Sequence, residues 1–190
     1  YKIANPTVLA RIPHDELALR YMRSEAVQKL IRTMNERGWL GTKTKQGFYK
    51  EVRTADGGKE FYVLNLQTME HEPSKKVRFD SIGKVKDEPD LGKRLKALLA
   101  ADDRAGQLVR AMTYQGLAYA CDRIPEIADT PKAIDDAMRW GFGREAGPFE
   151  IWDMLGVAET IPAMTAAGFP PHPWVQGMLE SGCPSFYQYA

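Results

Sequence analysis

The sequence predicts a mostly helical protein with one small β-hairpin. Three observations carry that prediction. Apolar residues recur at spacings of three and four in several windows, as in Ala26, Val27, Leu30, Ile31 and Met34. Those windows are bounded by residues that start and stop helices, such as Ser24 before the first and Gly38 after it. Only one stretch, between residues 47 and 66, pairs β-prone runs across an Asp-Gly turn.

Taken in order, residues 1–22 read as helical in places, with Pro6 and Pro13 as interruptions. The chain opens at Tyr1 rather than Met, which suggests a piece of a longer polypeptide. Ser24 is the N-cap of a helix over Glu25 to Glu36. The runs 47–52 and 60–66 form the hairpin, turning at Ala55-Asp56-Gly57-Gly58. Residues 70–89 are charged and irregular between Pro73 and Pro89, and read as a linker with a short strand at Val77 to Phe79. A short amphipathic helix follows over 91–99. The long helix is expected over Asp103 to Cys121, with Ala105, Leu108, Val109, Met112 and Ala120 as core and Gly116 at a close helix crossing. Thr130 caps the next helix, Pro131 opens it and Gly141 stops it, with Ile134, Ala137 and Met138 on one face. Gly147, Pro148 and Glu150 start another, because a first-turn carboxylate sits well at the positive end of the dipole. Two more helices, 157–167 and 173–180, complete the chain, the last stopped by Gly182.

Composition excludes several classes. A formal net charge of +1 supplies no field for nucleic acid or an acidic membrane. No apolar run approaches the ~18 residues of a membrane span, and no secretory leader opens the chain. Cys121 and Cys183 lack paired spacing and read as free thiols of a cytoplasmic protein. The histidines at 14, 71 and 172 form no metal-ligand spacing. Gly141-Phe142-Gly143 follows a helix rather than a strand, and Gly41-Thr42-Lys43-Thr44 precedes a strand rather than a helix, so neither is a phosphate loop. The acid pair Asp135-Asp136 is explained by a helix start. Asp153 reads as a structural carboxylate bonded to backbone or a neighbouring helix end. No nucleophile–base motif is present, so no catalytic residue is assigned.

Two motifs carry a family resemblance. One is Ile134-Asp135-x-Ala137-Met138, then Gly141-x-Gly143, then Gly147-Pro148-Phe149 with Asp153 and Gly156. The other is Gly38-Trp39-Leu40-Gly41-Thr42-Lys43-Thr44-Lys45-Gln46-Gly47-Phe48-Tyr49. Both resemble the C-terminal domain of 3-hydroxyacyl-CoA dehydrogenases. The departure is Lys45, where that family usually has glycine, so a positive φ there would be strained. There is also an internal echo: Met34 to Gly38 followed by Gly47-Phe48-Tyr49 is repeated as Met178 to Gly182 followed by Ser185-Phe186-Tyr187.

The resemblance implies an all-α domain of the 6-phosphogluconate dehydrogenase C-terminal type, in tandem related units with a small hairpin and linker between them. Residues 1–50 would be the tail of a first repeat, 51–100 the hairpin and linker, and 101–190 a second repeat. It implies that the catalytic His–Glu pair and the NAD-binding Rossmann domain lie upstream. The helical part would form a wall of the acyl-CoA cleft and a dimer or interdomain surface. Lys43 matches the lysine that approaches NAD, and Trp140 matches an aromatic assigned to substrate contact. The run Arg123 to Asp129 and the linker's Lys76-Val77-Arg78-Phe79 suggest the bacterial multifunctional branch, with an enoyl-CoA hydratase domain downstream. The alternative is a helical protein-interaction module without a ligand; a weaker third is an acyl-CoA carrier surface.

Overall fold

The computed structural model describes residues 22–188. The expectations for residues 1–21, His14 included, lie outside the described residues. The chain divides into two compact units, Tyr1–Val77 and Arg78–Ala190.

In the first unit, α1 (Glu25–Glu36) starts as expected: the Ser24 hydroxyl accepts from Val27 N at 3.4 Å. It stops at Gly38, whose φ of +66° is left-handed. A 3-10 turn (Thr42–Thr44) leads to β1 (Tyr49–Arg53), β2 (Lys59–Asn65) and β3 (Glu70–Pro73). The hairpin is therefore one strand larger than expected. β2 pairs antiparallel with β1, Tyr49 opposite Val63, and also with β3, Leu64 opposite His71. The third strand is charged and ends in proline, which suits an edge that is paired on one side only. The inner face packs Leu64 with Met34 and Met69, flanked by Leu30 and Trp39. Residues 77–79 form no strand.

In the second unit, α2 (Asp80–Val85) lies where a linker was expected; α3 (Leu91–Ala100) and α4 (Arg104–Asp122) follow. The segment 51–100 is thus shared, its sheet with the first unit and α2 and α3 with the second. Asp103 joins two elements. Its carboxylate caps α4 at Gly106 N, 2.9 Å, and accepts from the Ser81 hydroxyl of α2 at 2.9 Å. These donors hold its pKa below the ordinary carboxylate value.

α4 buries Tyr114, Leu117, Ala118 and Cys121. Leu108 and Met112, expected in the core, are 60% and 66% exposed. The helix has enough apolar residues for more than one stripe; Ala105 and Ala120 are buried as expected, and Leu108 and Met112 lie off the packed face. Gly116 marks no close crossing, since a Cβ there would meet nothing within 4 Å among the described residues.

The unit continues with α5 (Pro131–Phe142), α6 (Pro148–Leu155), α7 (Val157–Ala166) and α8 (Pro173–Glu180). α5 runs past Gly141, and the left-handed stop is Gly143, φ +62°. Its fully buried residue is Asp135, while Ile134 and Met138 are half-buried and Ala137 is exposed. Phe149, Trp152, Val157, Met164 and Val175 fill the core. α4 and α8 are fastened through Cys121: its Sγ accepts from His172 N at 3.2 Å, and its carbonyl accepts the Trp174 indole at 3.0 Å. Burial pushes this thiol up to about 11.

α1 and α8 end with the same hydrogen-bond set. Gly38 N donates to Asn35 O and Trp39 N to Met34 O; Gly182 N donates to Leu179 O and Cys183 N to Met178 O. These are the positions that echo each other in sequence.

Candidate functional site

The two residues expected to meet ligands fall in different units. Lys43 lies in the first, within the 3-10 turn between α1 and β1. The turn is closed by paired backbone bonds, Gly41 N to Gln46 O at 2.8 Å and Gln46 N to Gly41 O at 3.2 Å. The Thr44 hydroxyl accepts from Leu40 N at 3.0 Å and donates to Gln46 O at 2.9 Å. Gly47 has to be glycine: a Cβ would stand 2.8 Å from Gly41 Cα. Below the turn, His71 is satisfied on both nitrogens, Nε2 against Gly47 O at 2.9 Å and Nδ1 against Gln46 Nε2 at 3.4 Å. Trp39 packs edge-on against the His71 ring, and the Arg37 guanidinium lies over Trp39.

The base of the loop is thus rigid and its tip is charged. Lys43 is exposed and makes no hydrogen bond or ion pair among the described residues. Lys45 takes the left-handed conformation, φ 56° and ψ 11°. The positive φ anticipated at this glycine-type position is present, and lysine bears its strain. An ammonium on a braced turn, with no internal partner among the described residues, can act as a point charge toward an anionic or hydroxyl oxygen.

Trp140 lies in the second unit, in the last turn of α5. It is 79% exposed and Phe142 is 73% exposed. Within its unit Trp140 is not a core residue. What the sequence did not reveal is that Asp135 builds the corner between α5 and α6. The Asp135 carboxylate reaches from α5 to the start of α6, accepting from Phe149 N and Glu150 N, both at 2.9 Å, and from the Tyr187 hydroxyl at 2.7 Å. The dipole of its own helix does not explain it; Asp135 caps the next one. Burial raises its pKa, opposed by those three donors. Gly147 N is bonded by Glu150 Oε2 at 2.8 Å, completing the start of α6.

Asp153 has the structural role anticipated for it. Its carboxylate accepts from Phe186 N at 2.8 Å and Tyr187 N at 3.0 Å. Phe186 then inserts among Phe149, Trp152 and Trp174, with ring centroids 4.9, 5.4 and 5.8 Å away. His172 is an N-cap, its Nδ1 accepting from Trp174 N at 3.3 Å. No cluster that could hold a metal occurs among the described residues, and no helix there is long and apolar enough to cross a membrane.

Comparison with known proteins bears on the family. The chain is 37% identical over 161 residues to a Bacillus subtilis (strain 168) protein named "Probable 3-hydroxyacyl-CoA dehydrogenase". The aligned part is 85% of this chain and 20% of that protein. A second relative, from Rickettsia felis (strain ATCC VR-1525 / URRWXCal2), is named "Putative fatty acid oxidation complex trifunctional enzyme". It is 24% identical over 151 residues, 79% of this chain and 19% of its own length. The chain spans about a fifth of the length of these two relatives. No protein-family model matches it, and no solved structure does.

Proposed function

We propose that this chain is the C-terminal helical part of an NAD-dependent (S)-3-hydroxyacyl-CoA dehydrogenase of fatty-acid β-oxidation, of the 6-phosphogluconate dehydrogenase C-terminal type. The observation that carries the reading is the 37% identity, over 85% of the chain, to a protein of that name. The matching ends of α1 and α8 support two related units, a first-repeat tail over 1–50 and a second repeat over 101–190. NAD, when bound, takes up the hydride leaving the hydroxyl-bearing carbon.

This chain's own residues bind and position. Lys43 offers a point charge to the cofactor from a turn whose backbone is fixed at both ends. Trp140 offers an apolar surface to the acyl-CoA. The catalytic His–Glu pair belongs to the Rossmann part of the longer polypeptide, which is this chain's first partner; a downstream hydratase domain and a second copy in a cytoplasmic homodimer are the others. A plain interaction module is favoured by one observation, the bare Leu108 and Met112 on α4.

Lys43→Ala in the complete enzyme separates the two readings. A contact equally present in ground and transition states raises KM for NAD and leaves kcat. A charge-assisted bond at a solvated boundary is worth about 1.5 kcal/mol, or about tenfold in KM. Lys45→Ala should change KM less. An unchanged KM in Lys43→Ala, or a larger effect from Lys45→Ala, removes the role assigned to Lys43.

A further inference from the structure

The turn that carries Lys43 sets its own shape but not its own placement. The shape comes from within: Gly41 and Gln46 exchange backbone bonds, and the Thr44 hydroxyl links Leu40 N to Gln46 O. Glu51 N adds a bond to Lys45 O at 3.2 Å, from the strand that continues the same segment. A turn held only to β1 can hinge about it. The bonds that reach a distant segment come from His71 on β3, and they span 24 and 25 residues. Among the described residues, no other hydrogen bond ties residues 40–47 to anything outside residues 38–51.

The partners of His71 fix the chemistry of its ring. Gly47 O can only accept, so Nε2 carries the proton and donates to it at 2.9 Å. Nδ1 is then the acceptor, taking an N–H of the Gln46 side-chain amide at 3.4 Å. One ring thus grips the turn at two successive residues, once through backbone and once through a side chain. The ring is itself held. Its backbone pairs with Leu64 in the sheet, and Trp39 packs edge-on against it, 4.7 Å between centroids. The Arg37 guanidinium covers Trp39 and donates to Met69 O at 3.0 Å. Gly47 is buried and Lys43 is exposed, so the grip lies at the root of the turn and the ammonium at its free end.

We infer that His71 is a positioning residue for Lys43: by gripping Gln46 and Gly47 it sets where the ammonium is presented to the cofactor, a role that rests on the NAD contact proposed for Lys43. His71 lies outside both motifs that carry the family resemblance, on a strand with no apolar alternation to mark it. Because it acts through Lys43, its loss costs no more than the loss of Lys43 itself, and costs nothing further once Lys43 is gone.

The test uses the complete enzyme and two readouts. In steady-state kinetics, His71→Ala should raise KM for NAD about fivefold, less than Lys43→Ala, and keep kcat, since a displaced ammonium is lost equally from ground and transition states. The double variant should match Lys43→Ala alone. His71→Gln, whose amide N–H can stand near the Nε2 position and reach Gly47 O, should restore most of the affinity. The second readout needs no cofactor. In NAD-free enzyme, amide hydrogen exchange over residues 40–47 should quicken about tenfold in His71→Ala while residues 148–155 keep their rate.

If Lys43→Ala raises KM and His71→Ala does not, His71 has no part in placing the lysine and the inference alone is overturned. If the losses multiply in the double variant, or exchange quickens alike in both segments, His71 only stabilises the fold, and the inference is again overturned. An unchanged KM in Lys43→Ala removes the cofactor contact itself, and the role of His71 with it. Should His71→Ala not fold, Gln46→Met, which strips one of the two bonds and keeps the ring, carries the same readouts.

Discussion

Replacing Gly147 by alanine isolates the tightest point of the second unit. The glycine has φ −81° and ψ 170°, which alanine adopts freely, so no backbone strain enters. On entropy alone the change would stabilise by about 0.4–1 kcal/mol. The structure reverses that sign, because the added Cβ would stand 2.4 Å from Asp135 Cα, Cβ and Cγ. Asp135 is 2% exposed and has no room to retreat without leaving Phe149 N, Glu150 N or the Tyr187 hydroxyl. Overpacking costs about 1–3 kcal/mol. Losing one hydrogen bond to a buried carboxylate adds about 1.5–3 kcal/mol. The net expectation is about 3 kcal/mol of destabilisation. With a urea slope of about 1.5 kcal/mol/M for a unit of this size, the midpoint falls by about 2 M. Tryptophan fluorescence follows it, since Trp152 is fully buried beside the corner. An unchanged or raised midpoint would refute the packing argument.

Gly116→Ala should do the opposite and stabilise α4 by about 1 kcal/mol in the same titration, because a Cβ there meets nothing within 4 Å. Lys45→Gly should stabilise the first unit by up to about 1 kcal/mol in thermal unfolding, by removing the left-handed strain. Asp103 sets a pH dependence. Its folded pKa is lowered first by Gly106 N–H and then by the Ser81 hydroxyl, so its contribution is present above the unfolded value of about 3.9 and is lost as pH falls through the lower folded value. Urea midpoints of wild type and Asp103→Ala should therefore differ at neutral pH and converge below pH ~3.

The parts of this fold that were legible in the sequence are the local ones. Ser24, Thr130 and the Gly147-Pro148 start act within one turn, so residue type and spacing suffice, and each sits where expected. Leu108 and Met112 misled because periodicity fixes that a helix has a face but not which of two faces packs. Asp135 misled for the reverse reason. An aspartate near a helix start already has a local explanation, and its bonds span fourteen and fifteen residues along the chain. Glu70–Pro73 carries no alternating apolar pattern, so only its partner strand identifies it. Among the site residues, the loop around Lys43 was readable from its glycines. The role of Tyr187 as the third donor to Asp135 was not, since nothing near it in sequence marks a partner 52 residues away.

The seam between α4 and α8 also gives the protein an internal clock. Cys121 is wholly buried, and its sulfur already receives a backbone N–H, whereas Cys183 is half-buried just past the stop of α8. A thiol reagent added to the native protein therefore meets two populations of sulfur. Cys183 consumes reagent as fast as the chain end admits it. Cys121 consumes it only when α4 and α8 part, so its labelling rate counts the openings of the second unit one by one, without denaturant.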